Sequence, residues 1–308
     1  MSEPAPGASS DPTYLEAQSM RIARTALAVA LAALSIAAVQ APAHAAPMCN
    51  EKPVTHLGTA EADVIVGTPG DDVILALAGD DTISGLGGND TICAGEGNDT
   101  VYGESAALDV AAAGGSDTVF AGPGDDTVVG DFGAVEFPAV TGGTGSNDQI
   151  YGGEGNDTIY GDAIDAVVTL VAPGVVFAND GVFGGPGVDT LYGDARTLTF
   201  ELEGALAVDA GSNTVSGGTE NDVVYGNFET VGATLGTISG SGWRDNLTGG
   251  DGDDAVYGDA KTGADKLTLV GDLAYTDIIN AGAGADTGDA GPGVDICANV
   301  ETAVNCEA

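Results

Sequence analysis

A nine-residue period of glycine and aspartate constrains this chain more than any other feature. Three segments share the pattern G-G-x-G-x-D followed by a short strand: residues 152–160 (GGEGNDTIY), 184–192 (GGPGVDTLY) and 249–257 (GGDGDDAVY). Aspartates recur in the same frame at Asp63, Asp72, Asp81, Asp90, Asp99, Asp117, Asp126, Asp148 and Asp157. An isoleucine or a valine stands two residues after each of them. This regularity predicts a repeat fold in which each unit adds one turn and one short strand.

The residue types of each unit indicate its chemistry. Glycine accepts the positive φ that a tight turn needs, and it lets backbone carbonyls point at one centre. Aspartate supplies the hard anionic oxygen that calcium prefers. In the strand that follows, side chains alternate between faces, so the aliphatic residue points inward while the flanking threonine and tyrosine point outward. The repeat therefore predicts calcium at its turns.

The unit resembles the RTX, or hemolysin-type, calcium-binding nonapeptide repeat. The resemblance implies an all-β parallel β-roll, in which one coil takes two nonapeptides and each ion lies between turns stacked on the same side. It implies calcium as the cofactor, with on the order of ten ions per chain. The metal ligands implied are Asp72, Asp81, Asp90, Asp99, Asp117, Asp126, Asp148, Asp157, Asp180, Asp189, Asp222, Asp245, Asp254, Asp277 and Asp286.

After residue 130 the period lengthens. Compact turns end at Asp157, Asp189, Asp222, Asp254 and Asp286, which are 32 or 33 residues apart. Between them lie longer segments that end at Asp180, Asn213, Asp245 and Asp277. Because turns alternate sides, all the long segments, including 130–147, fall on one side. Alternating polarity at 167–171 and 197–201 predicts strands there. We expect a roll with one compact edge and one widened edge.

The N-terminus predicts secretion. A basic region at 20–24 precedes the apolar segment 25–39 and an A-x-A site at 43–45. This order is typical of a signal peptide, and we then expect translation to start at Met20. An uncleaved anchor is the alternative, but the apolar run is shorter than the ~20 residues that a span needs. We expect an extracellular protein, either free or associated with a cell surface.

The expected domains follow from these patterns. Residues 1–45 form the leader, 46–57 an N-terminal cap, and 58–129 the regular roll. Residues 130–300 form the roll of longer double repeats, and 301–308 form a C-terminal cap. Four cysteines in an exported chain suggest two disulfides, Cys49–Cys93 and Cys297–Cys306, one at each end of the roll.

The charge balance narrows the partners and links calcium to folding. The formal net charge is −40, so nucleic acid and anionic membrane surfaces are poor partners. Each nonapeptide buries about one aliphatic side chain, and a core this thin is marginal. Stacked carboxylates repel one another without a cation. We therefore expect calcium to be part of the fold.

Residue types argue against an enzyme. His56 is the only histidine after the leader, and the chain contains neither G-x-S-x-G nor H-E-x-x-H. The leading hypothesis is a structural or adhesive module. Two alternatives remain open. One is a carbohydrate-active enzyme that uses exposed aspartate pairs. The other is an ice- or crystal-binding face built on regular columns of threonine and of asparagine, the latter being Asn89, Asn98, Asn156 and Asn221.

Aromatic residues suggest a candidate binding surface. Tyr160, Tyr192, Tyr225 and Tyr257 recur once per coil, so all four should lie on one outer sheet face. Such a row is either a stacking ladder that stabilises the sheet or a platform for glycan or another surface component. Trp243 and Arg244 interrupt one long segment and are a further candidate contact point.

Overall fold

A computed structural model gives the structure of the chain. It describes residues 47–106, 114–137, 145–168, 175–240, 244–258, 260–263, 267–269, 277–285, 287–289, 296–300 and 302–304. These residues belong to one compact unit, 47–308. The leader, Trp243, Asp286 and Cys306 lie outside the described residues. None of the described residues forms a helix able to cross a membrane.

Two ten-stranded parallel sheets form the body of the roll. The strands of the first sheet are His56–Leu57, Val73–Ala78, Thr91–Glu96, Thr118–Pro123, Gln149–Glu154, Gly181–Pro186, Thr214–Thr219, Asn246–Asp251, Ile278–Ala283 and Ile296–Ala298. Those of the second sheet are Val64–Val66, Thr82–Ser84, Thr100–Tyr102, Thr127–Val129, Thr158–Tyr160, Thr190–Tyr192, Val223–Tyr225, Ala255–Tyr257, Thr287–Asp289 and Thr302–Val304. The chain passes alternately through the two sheets, which confirms the predicted parallel β-roll.

One hydrophobic core lies between these sheets. The residue two places after each aspartate points into it, so successive coils stack like on like: Ile74 pairs with Ile92 and Ile159 with Leu191. These four side chains are fully buried. The inward aliphatic position read from the sequence is therefore confirmed, and each coil contributes only a few core side chains.

The long segments form a third parallel sheet. Its strands are Phe132–Phe137, Ala163–Val168, Val175–Val176, Ala195–Asp209, Phe228–Gly240, Ala260–Gly263 and Leu267–Leu269. Five of them pair in chain order, and the short strands Val175–Val176 and Leu267–Leu269 join at its side. The strands predicted near 167–171 and 197–201 appear here, although 169–171 lies outside the described residues. Each long segment thus leaves the second sheet, runs through the third and returns to the first.

The N-terminal cap is held by a disulfide. The strands Met48–Cys49 and Lys52–Pro53 pair antiparallel, and Cys49 bonds to Cys93 with a Cα–Cα distance of 5.9 Å. This confirms the first predicted bridge. Cys297 is also disulfide-bonded. Its expected partner Cys306 lies outside the described residues, so that pairing stays a prediction.

Candidate metal centres

Two columns of buried aspartates run along the edges of the roll. The compact edge carries Asp81, Asp99, Asp126, Asp157, Asp189, Asp222 and Asp254, and the widened edge carries Asp72, Asp90, Asp117, Asp148, Asp180, Asn213, Asp245 and Asp277. Every one of these side chains is at most 4 % exposed. The structure thus places fourteen of the fifteen predicted ligands at equivalent positions in two rows.

One oxygen of each carboxylate is used by the backbone. The N–H of Asp157 donates to Asp189 Oδ1 in the next coil at 2.8 Å, and the N–H of Asp148 donates to Asp180 Oδ1 at 2.8 Å. The same bond recurs at Asp81, Asp90, Asp99, Asp117, Asp126, Asp148, Asp157, Asp222, Asp245, Asp254 and Asp277. Each aspartate therefore ties its own coil to the preceding one.

The second oxygen of these carboxylates is buried without a hydrogen-bond partner among the described residues. This holds at Asp81, Asp90, Asp99, Asp117, Asp126, Asp148, Asp157, Asp180, Asp189 and Asp222. A buried anionic oxygen with no donor is costly, and native structures normally satisfy it. Burial raises the pKa of Asp117 to about 8 and that of Asp90 to about 7. A cation bound at these oxygens would offset the cost of burying them.

Backbone carbonyls converge on the same oxygens. A Cβ placed on Gly184 would lie 2.2 Å from Asp189 Oδ2 and 2.6 Å from the Gly217 carbonyl oxygen of the next coil. On the widened edge, a Cβ on Gly130 would lie 2.4 Å from Asp148 Oδ2 and 1.9 Å from the Gly161 carbonyl. These two pockets are thus kept open by glycine and lined by oxygen, which is the ligand type that calcium prefers.

Comparison with known protein families shows to which family the chain belongs. The family model for RTX calcium-binding nonapeptide repeats matches residues 57–92, 85–107, 110–134, 142–163, 178–195, 208–228, 236–260 and 273–297. Together these matches cover more than half of the chain. The chain belongs to the RTX calcium-binding repeat family. No curated protein shows significant sequence similarity to it. As an RTX protein it is a calcium-binding β-roll, as its repeats predicted.

The widened edge of this RTX roll contains a further acidic column that the sequence reasoning missed. Its members are Glu104, Asp131, Asp162 and Asp194, continued by Asn227, and all are at most 3 % exposed. Each stands directly after the glycine at which the chain leaves the second sheet. The signal was present in the sequence as the recurring Tyr-Gly-acid triplets at 102–104, 160–162 and 192–194.

The tyrosine ladder is real but it is not an outer surface. Tyr160, Tyr192 and Tyr225 stack with ring centroids 4.8 and 4.9 Å apart, and Tyr257 continues the stack at 5.0 Å. The first three are only 6, 5 and 3 % exposed. The expectation of an exposed face is wrong for them, because the third sheet covers the row: Ile164 packs against it.

The asparagine columns are also engaged by the roll itself. Asn89 Oδ1 accepts the N–H of Ser116, and Asn98 Oδ1 accepts the N–H of Asp125, at 2.9 and 3.0 Å. Asn156 and Asn221 make the same bond to Val188 and Asp253. The Oδ1 of each of these asparagines thus joins neighbouring coils.

Proposed function

We propose that the RTX roll binds its calcium at both edges, and that this binding drives folding outside the cell. The ligands are the fifteen aspartates named from the sequence, with Asn213 interrupting the row on the widened edge. The observation that carries the proposal is the row of buried second oxygens in register with neighbouring carbonyls. Repeated in every coil, this arrangement suits a hard divalent cation better than any purely structural use of aspartate.

Calcium binding and folding are coupled because the cation-free roll stacks like charges. The chain carries 47 acidic and 7 basic residues, and consecutive coils lie about 4.8 Å apart. A ligand present at 100 times its dissociation constant stabilises the folded state by about 2.7 kcal/mol per independent site. Several such sites exceed the total stability of many small domains. We therefore expect a chain that folds in millimolar calcium and is largely unfolded in chelator.

Circular dichroism during a calcium titration tests the proposal. Wild-type protein should gain strand signal cooperatively, and Asp189→Asn should need several-fold more calcium. Asparagine keeps the Oδ1 acceptor for the Asp157 N–H, so the change removes charge rather than the hydrogen bond. Glu96→Gln is the control, since Glu96 is exposed and the charge change is the same. Equal strand content with chelator and with calcium would refute calcium-driven folding.

The biological role proposed is a secreted structural or adhesive module. The leader-like segment 20–45 supports export, and the Cys49–Cys93 disulfide suits an oxidising compartment. The absence of a catalytic motif beyond the aspartates favours a module over a polysaccharide-active enzyme. Calcium-dependent retention on cell-surface glycan without turnover would support the module. Turnover on a polysaccharide panel would establish the enzyme instead.

A further inference from the structure

The second acidic column on the widened edge closes the long segments. Asp162 accepts the N–H of Ala178, with nitrogen–oxygen distances of 3.2 and 3.3 Å. Glu104 Oε1 accepts the N–H of Gly115 at 2.7 Å, two levels earlier in the stack. In each case the acid stands at the start of a long segment and the N–H at its end. The column therefore lies between the widened-edge aspartates and the third sheet.

Three carboxylates of this region converge in the interior. Asp162, Asp180 and Asp194 offer oxygens that all lie within 4.8 Å of one another. Their exposed fractions are 3, 3 and 0 %, and Asp180 Oδ2 and Asp194 Oδ2 have no hydrogen-bond partner in the part of the chain that the structure describes. Two unpartnered, buried carboxylate oxygens aimed into one cluster call for a positive charge between them.

A backbone carbonyl faces the same point. A Cβ on Gly161 would lie 1.7 Å from the Gly193 carbonyl oxygen and 2.4 Å from Asp180 Oδ2. All the metal-ligating atoms of the cluster are thus oxygens, and three of them come from carboxylates. Among the lysine and arginine side chains that the structure describes, Arg196 and Lys52 pair with Asp165 and Thr91, and Arg244 is exposed.

In the next coil of the stack, two of the three positions of the cluster are occupied by asparagine. There Asn213 takes the place of Asp180, and Asn227 takes the place of Asp194. Asn213 Nδ2 lies 2.4 Å from a Cβ built on Gly193, as Asp180 Oδ2 does at Gly161. This amide donates to Asp194 Oδ1 at 2.9 Å and to the Gly226 carbonyl at 3.0 Å. An amide N–H therefore occupies this position at the neutral level, whereas at the acidic level Asp180 Oδ2 stands there with no hydrogen-bond partner among the described residues.

We propose that Asp162, Asp180 and Asp194 form an interior site for a divalent cation of the calcium class, outside the nonapeptide turns. The site deepens the proposed function, on which it rests through the shared ligand Asp180. It uses two residues, Asp162 and Asp194, that occupy a glycine position in the repeat pattern G-G-x-G-x-D. Its three carboxylates carry more charge than a single turn aspartate, and calcium affinity rises with ligand charge.

Counting bound calcium by equilibrium dialysis tests the site. In saturating calcium, with folding verified by circular dichroism, Asp162→Asn should bind about one ion fewer per chain than wild type. Asparagine keeps an oxygen for the Ala178 N–H, and Asn227 shows that the position accepts an amide. Glu154→Gln, an exposed glutamate with the same charge change, should bind the wild-type number.

A variant that should gain an ion distinguishes loss of the site from misfolding, because a folding defect cannot increase the number of bound ions. Asn213→Asp combined with Asn227→Asp rebuilds the triad one level along the stack, and it should bind about one ion more than Asn213→Asp alone, which restores only the turn aspartate of the widened edge. Unchanged stoichiometry in both Asp162→Asn and the double variant would mean that protons rather than a cation neutralise the cluster, and the site would be rejected. If Asp157→Asn binds less calcium while the variants of the interior site bind an unchanged number of ions, the proposed function is kept and only this site is rejected. A wild type that binds no calcium would reject both.

Discussion

At the scale of single residues, each aspartate divides its two oxygens between two tasks. Oδ1 accepts an N–H from the preceding coil, and Oδ2 faces a glycine-lined pocket. The pockets differ at the first glycine of the turn. On the compact edge this position is alanine at Ala94 and Ala121, which are fully buried. On the widened edge it is glycine at every level from Gly67 to Gly258. A Cβ at Gly67 to Gly226 on that edge would lie 1.7–2.4 Å from the next coil's carbonyl oxygen, against 2.3–2.8 Å at the glycines of the compact edge.

We therefore expect Gly161→Ala to destabilise the calcium-bound roll by about 1–3 kcal/mol, the usual cost of overpacking. Its Cβ would meet the Gly193 carbonyl at 1.7 Å, and backbone cannot move aside as a side chain can. Gly152→Ala is the matched comparison on the compact edge, where the Cβ would lie 2.3 Å from Asp157 Oδ2 but 2.8 Å from the nearest backbone atom, the Gly184 carbonyl oxygen. Urea unfolding in calcium should rank Gly161→Ala well below Gly152→Ala. Equal stabilities would contradict this account of the strict glycine.

At the scale of elements, the third sheet changes the role of the strands beneath it. It turns the tyrosine row from a surface into a small second core, in which Val129 also takes part. Tyr192 bonds only distantly to Glu229, with an oxygen–oxygen distance of 3.4 Å, so its ring rather than its hydroxyl carries the packing. The more exposed aromatic stack lies on the first sheet instead, where Phe120, Tyr151 and Phe183 stack 5.0 and 5.1 Å apart.

For this reason we expect Tyr192→Ser to act on stability. It removes a buried ring between two stacked neighbours and should cost about 3 kcal/mol, as large-to-small core changes do. Tyr192→Phe keeps the ring and should cost well under half of that. Thermal unfolding in saturating calcium measures both variants. A Tyr192→Ser protein as stable as wild type would show that the ladder is not a core.

The N-terminal element depends on its covalent tie. Met48–Cys49 and Lys52–Pro53 form an isolated two-stranded ribbon, which is marginal alone. The Cys49–Cys93 bond spans 44 residues, and closing a loop of that size stabilises the folded state by about 4 kcal/mol in the chain-entropy account. Cys49→Ser with Cys93→Ser should lower the unfolding temperature and expose residues 47–57 first to limited proteolysis. Wild-type cleavage kinetics in the double variant would show that the ribbon holds without the bond.

At the scale of the whole molecule, electrostatics decides when the roll can form. Burial raises the pKa of Asp222 to about 7 and those of Asp99 and Asp157 to about 6, from 3.8. A raised folded-state pKa means that the folded chain binds more protons than the unfolded one. Proton binding by these aspartates therefore stabilises the folded chain most below the pKa of unfolded aspartate. This stabilisation is lost as pH rises through about 6 to 8.

Calcium-stripped protein should consequently gain strand structure on acidification. Circular dichroism of the stripped chain should show more strand at about pH 4.5 than at about pH 8.5, because protons neutralise the columns. In calcium the dependence reverses, since protons compete with the ion and the calcium midpoint should rise as pH falls. Stripped protein that loses strand on acidification would contradict the buried columns.

Sequence alone determined the features that depend on one coil and its neighbours. The nine-residue period specifies turn, strand and inward aliphatic residue within a single unit, as at Asp157 and Ile159, and stacking only repeats that unit. The separation into compact and widened edges followed from parity. Tertiary structure alone decided how the long segments fold back. Their path buries the tyrosines and brings Asp162, Asp180 and Asp194 within one 4.8 Å cluster, across 32 residues of chain. Such a meeting depends on the packing of a whole segment, which no local pattern of glycine and aspartate specifies.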